Sequence, residues 1–276
     1  MPPPFIFIRF SGLLLAALLP GCAPGFADNP SFPLDVVTAR QSLRLMQNDP
    51  KPLARPVIVL AGFADPGIIS ETVVRDLRRV FANSKQIMDV SFLMCPDFDS
   101  CRDRVIMCVD ESFPSHNPLL TTEVDVVAIS MGGLVALHAA RERDDGGRRL
   151  RIARLFTIST PHQGAALADW PTMDKKQLAM RRHSQFLHEL NNDESSQQIE
   201  IVPYSRLGDM IVGIENTAPP GRNPWWMPNE PLEPAHVFAP GDPRILADIC
   251  RRLRGESPFT RTPAAPLPVE TTATPS

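Results

Sequence analysis

Apolar residues along the chain fall into short β-branched runs separated by longer amphipathic stretches, at 56–60, 87–93, 124–129, 155–159 and 200–205. Runs of four to seven apolar residues bounded by turn signals predict strands covered on both faces. Between them the period changes to that of a helix. Over 70–83 the stripe Val73, Val74, Leu77, Val80 and Phe81 faces inward, with Arg75, Arg78 and Arg79 toward water. Residues 99–109 carry Val105, Ile106 and Val109 on one face, 34–46 show a weaker stripe, and 175–190 read as one helix. The last helix is marked by Asp242 at its N-cap, Pro243 in its first turn and Gly255 beyond its end. Strand and helix in alternation predict a doubly wound, mostly parallel α/β sheet.

One segment organises the rest. Val124, Val126, Val127, Ala128 and Ile129 lead into Ser130, and Leu134, Val135, Leu137 and Ala139 continue as a helix whose solvated end is expected at 141–145. The small residues Ala128 and Gly132 flank the serine where the chain must reverse sharply. This strand–Ser–helix segment resembles the nucleophile elbow of the α/β-hydrolase family, in the A-x-S-x-G form of the bacterial esterase and lipase group. The run Thr160-Pro161-His162-Gln163-Gly164 is similar to bacterial lipases and esterases as well. The resemblance spans roughly 56–254 and implies a small helical cap, a Ser-His-Asp triad and no cofactor or metal.

Carried over residue by residue, the resemblance makes Ser130 the nucleophile, Asp209 the acid after the next-to-last strand, and His236 the base before the last helix. Glu215 is the one close competitor for the acid. The backbone amides of Phe63 and Met131 are the implied oxyanion donors, although Ala61 stands where the family has histidine. His162 competes for the base, but it precedes Asp209, out of the family's chain order, and a structural role on loop backbone is expected of it. His183 and His188 lie five apart, not four, and are read as surface or cap residues. The cap is expected at about 165–198, and Trp225 and Trp226 are expected to pack on it, with acyl-pocket lining or a lipid surface as the other roles.

The two ends carry other signals. Residues 1–21 read as an export signal with a short apolar core, and Leu19-Pro20-Gly21-Cys22 looks like a lipobox whose cysteine would be lipidated. Cleavage after Gly25-Phe26-Ala27 is the alternative, and it would give a soluble exported form. Residues 22–33 are read as a linker, 34–255 as the catalytic domain, and the Pro/Thr-rich stretch 256–276 as a disordered tail. Cys95, Cys101, Cys108 and Cys250 could pair in three ways or not at all, and none of their spacings is a zinc pattern. If 99–109 is helical, Cys101 and Cys108 are about 10 Å apart, too far to bridge, leaving Cys95 as the better partner of either.

With 276 residues, 43% hydrophobic content and a net charge of −3, the composition suits one large domain and gives no basic patch for nucleic acid. The expected activity is hydrolysis of a small-molecule or lipid ester, with membrane contact through the N-terminal lipid. Acyl transfer, thioester or amide hydrolysis use the same parts. A non-catalytic exported binding module on the same fold is the alternative of another class.

Overall fold

The computed structural model describes residues 28–142, 146–193 and 198–268. Six parallel strands form one sheet in the order β2-β1-β3-β4-β5-β6. They are β1 Val57–Leu60, β2 Ile87–Val90, β3 Val124–Ile129, β4 Ile152–Ile158, β5 Glu200–Arg206 and β6 Trp225–Met227. The helices are α1 Val36–Asn48, α2 Ile68–Arg78, α3 Phe98–Ser112, α4 Met131–Ala140, α5 Lys175–Ala179, α6 Gln185–Asn192, α7 Ala235–Phe238 and α8 Pro243–Leu253. Among the described residues no helix is long and apolar enough to cross a membrane.

Alternation along the strands sorts the core into two layers. Ile58 and Leu60 of β1 point to the side where α3, α4 and the β4–β5 insertion pack. Val57 and Val59 point to the other, against α1, α2 and α8. Because helices cover both faces, β3 is buried at all six positions, which is why its sequence reads as a continuous apolar run rather than an alternating one. The helix ends follow the side chains available: Asp35, Asp97 and Asp242 each accept an amide of the first turn of α1, α3 and α8.

Several expectations change. The segment 175–190 is two short helices, because the chain turns at His183, which has φ 60°. Nearby, Arg182 backbone packs so tightly on Gly164 that a Cβ there would lie 2.7 Å from its Cα. Trp225 and Trp226 do not pack on the cap. They form the sixth strand, Trp225 in the core beneath α8 and Trp226 with Leu207 and Ala265. The four cysteines are free, Cys108 half-buried and the others buried. Burial pushes the thiols of Cys101 and Cys250 up to about 12. The signal segment, Cys22, the 25–27 alternative, 143–145, part of the cap at 194–197 and the end of the tail lie outside the described residues.

The stretch 256–268 is not a free tail. Buried Asp248 of α8 accepts the Tyr204 hydroxyl at 2.6 Å, Arg252 Nε at 2.9 Å and the Thr260 amide at 3.0 Å. Trp226 Nε1 donates to the Ala265 and Pro266 carbonyls, at 3.2 and 3.1 Å. Composition alone misreads this segment, because its few anchors are single polar contacts spread between prolines. Asp248→Ala should therefore lower unfolding free energy by about 3–5 kcal/mol, the cost of stripping a buried charge network of one partner. Urea unfolding checks the magnitude, and faster amide exchange at Thr260 checks that the strap has loosened.

Candidate active site

The sheet order reverses between β1 and β3, and at such a switch point the loops leaving neighbouring strands part to form a crevice. Ser130 stands at the end of β3 beside it, with φ 50° and ψ −123°. That conformation is strained for a residue with a Cβ. It is held by the Ser130 amide donating to Ile158 O at 2.8 Å and by Thr160 Oγ1 donating to Ser130 O at 2.8 Å. Gly132 is required for the turn: a Cβ there would lie 2.7 Å from the carbonyl oxygens of Leu60 and Ala61. Gly133 has the same role against Thr160, whose Oγ1 would be 2.3 Å away.

His236 lies in the single turn α7 and not in open loop. Its Nε2 is 3.1 Å from Ser130 Oγ and its Nδ1 is 2.8 Å from Asp209 Oδ2. The three side chains thus form one hydrogen-bonded line, although 106 positions separate the serine from the histidine. Asp209 follows β5 and its carboxylate is fully buried. Burial works to raise its pKa, but the adjacent His236 imidazole, the Val212 amide and the Ser159 hydroxyl outweigh it and hold the carboxyl below the usual range. Its Oδ1 accepts the Ile211 and Val212 amides at 3.1 and 3.0 Å. Arg206, buried at the end of β5, binds the other side of the loop: its guanidinium is 2.7 Å from Glu233 and 3.4 Å from Asp242, which bracket His236 in sequence.

The loop after β1 runs beside the serine, so that a Cβ on Gly62 would stand 3.4 Å from Ser130 Cβ. The next amide is that of Phe63. Among the described residues neither it nor the Met131 amide is committed to an acceptor. Asp65 then folds the loop into α2, accepting the Gly67, Ile69 and Ser70 amides at 3.0, 3.2 and 3.1 Å.

The rivals are elsewhere. Glu215 is exposed and pairs with Arg182 at 3.1 Å. His162 is fully buried, with Nε2 3.2 Å from Thr157 Oγ1. Its ring thus bonds a strand hydroxyl and not loop backbone. The loop contact comes through its carbonyl, which accepts Asn191 Nδ2 at 3.0 Å. His183 and His188 are exposed. Among the described residues no cluster of three or more His, Cys, Asp or Glu is placed to hold a metal ion. Two residues carry no sequence signal of their own. Ser159, at φ 51°, reaches the Asp209 carboxylate from the end of β4. Lys176, in the insertion, is buried against the loop that follows β2.

No family model matches the chain, and no curated protein does. Solved structures do. The gene lin2722 product from Listeria innocua aligns with a TM-score of 0.52 at 12% identity, covering 74% of this chain and 95% of that one. The propeptide form of lipase BlEst2 from Bacillus licheniformis gives 0.51 at 13%, covering 79% of this chain and 54% of its own. The chain has the α/β-hydrolase fold. Within that hydrolase fold, the insertion between β4 and β5 is a small helical cap made of α5, α6 and a 3-10 turn at Ala166–Asp169.

His162, buried after β4, gives the fold a pH dependence. Burial, with Arg222 nearby, lowers its pKa from 6.5 to about 3, so between those values the unfolded chain binds the proton and the folded chain does not. Stability should fall as pH drops through that window, by up to about 1.4 kcal/mol per pH unit from this residue. Urea midpoints for wild type and His162→Gln, taken from pH 7 to pH 4.5, should converge as the pH falls.

Proposed function

We propose that the protein is a serine hydrolase that cleaves carboxylic esters. The observation that carries this reading is the His236 imidazole standing between Ser130 Oγ and Asp209 Oδ2 at 3.1 and 2.8 Å. With Nδ1–H donated to the carboxylate, Nε2 is left as acceptor for the serine proton. Ser130 then attacks the ester carbonyl, and the Phe63 and Met131 amides receive the oxyanion at the start of α4, where the helix dipole favours negative charge. His236 returns the proton to the leaving alcohol and afterwards activates the water that releases the acyl group. No cofactor enters these steps.

The substrate is a small-molecule or lipid ester. The chain is exported and held to a membrane by a lipid on Cys22, after removal of 1–21; of the expected linker 22–33, Asn29, Ser31 and Phe32 are instead buried in the domain, because Asn29 bonds the Trp226 carbonyl and Phe32 joins the core. A globomycin-sensitive precursor, with mass spectrometry of the mature N-terminus, tests the anchor, and cleavage after Ala27 would replace it with a free exported form.

A fluorophosphonate probe should label the wild type and leave Ser130→Ala unlabelled. No labelling of the folded wild type would leave the non-catalytic binding module as the reading. Asp209→Asn should keep the fold and lower kcat by about 10⁴-fold, since the amide holds the imidazole in the wrong tautomer. A p-nitrophenyl ester series from acetate to palmitate measures both this loss and the acyl length preferred.

A further inference from the structure

Lys176 is 5% exposed, an unusual place for an ammonium. Its neighbour Lys175 pairs with Asp97 at 3.8 Å, whereas among the described residues no carboxylate comes within 4.0 Å of Lys176. A buried cation on which the Asp97 carboxylate acts only at longer range persists only if its donors are satisfied. Here Nζ donates to Cys95 O at 2.7 Å and to Phe92 O at 3.5 Å, and it stands 5.4 Å from the centre of the Phe63 ring. Two carbonyls and one aromatic face thus take up its charge.

All three partners belong to the loops that leave β1 and β2, and the lysine itself belongs to the cap. One residue therefore fastens the cap to both loops on the β1 side of the elbow. The fastened loop needs bracing: Ala64, directly after Phe63, has φ 57°. Asp65 secures its far end through three amides of the α2 start; on the near side the Phe63 ring packs between the core and the lysine, and the Asp65 amide closes back on Gly62 O at 3.4 Å.

We propose that Lys176 is a positioning residue that holds the Phe63 amide on the oxyanion through the Phe63 ring and the β2–α3 loop. This rests on the ester-hydrolase reading of the Ser130 site. The lysine is given no contact with substrate, because it is buried and faces the Cys95 and Phe92 carbonyls and the Phe63 ring. It acts on where an amide points, and a displacement of about 1 Å at such a donor is worth as much as 100-fold in rate.

The test uses the full chain with Lys176→Met, which keeps the stem and removes the charge. With p-nitrophenyl butyrate, kcat should fall about 10- to 100-fold while KM stays within about twofold. Affinity for an alkyl boronic acid, whose tetrahedral adduct places an oxygen at the oxyanion position, should fall in parallel with kcat/KM. Phe63→Leu should reproduce the loss, and the double variant should lose little more than either alone. Thermal melts define a temperature at which every variant is folded, and the kinetics are read there. Lys176→Arg, still cationic, guards against a Met variant that does not fold: it should retain more boronate affinity than Lys176→Gln. Boronate affinity and kcat within about twofold of wild type in Lys176→Met, or full additivity with Phe63→Leu, would overturn the proposal. A folded wild type that the fluorophosphonate leaves unlabelled would instead overturn the hydrolase reading beneath it.

Discussion

The structure depends on how closely the start of α4 approaches the end of β1. Gly132 sits where any side chain would run into the Leu60 and Ala61 carbonyls, and that contact joins the serine and the loop carrying Phe63 in one place. It is available only between neighbouring strands from which the chain leaves in opposite directions around the sheet, as β1 and β3 do here. The strained backbone of Ser130 is the local cost, and it is offset by burial on both sides: the whole of β3 before it and nearly all of α4 after it are removed from water.

Asp209 and His236 are held by a different principle. Asp209 is excluded from water but saturated by amides, a hydroxyl and the imidazole, so its charge is kept by hydrogen bonds rather than by solvent. Arg206 then ties the strand that ends before Asp209 to the segment that carries His236, through charge contacts on both sides of the histidine. A short helix such as α7 has little stability of its own. Its position is set by those contacts and by α8, which begins five residues later at Pro243.

Much of the fold was legible because burial on two faces writes itself into composition. The strands of the middle of the sheet and the helices α1, α2, α3 and α8 stand close to where apolar runs and capping residues put them. Strand β6 was missed because three residues, Trp225 to Met227, are too few to show a period, and a pair of tryptophans suggests a surface as readily as a core. The split of 175–190 was missed because a turn at His183 with φ 60° has no glycine to announce it. In the site, Ser130, Asp209 and His236 could be named from motif and chain order, but the distances among them are tertiary facts. Ser159 and Lys176 had no such signal: a serine at a strand end and a lysine in a polar helix are ordinary until their neighbours are known.

The outermost strand has one further consequence. The Met227 carbonyl turns inward to the Leu207 amide, so the Trp226 carbonyl faces away from the sheet, and Asn29 Nδ2 occupies it at 2.7 Å. Asn29 in turn holds Ser31, and Ser31 receives the Arg261 amide at 2.7 Å and the Ala265 amide at 2.8 Å. The first and last described stretches of the polypeptide are thereby knotted over the rim that would otherwise offer free backbone groups to another molecule. Protection against strand-to-strand aggregation is in this way assigned to segments that make no contact with Ser130, Asp209 or His236 among the hydrogen bonds described, and a truncation at either end would expose it.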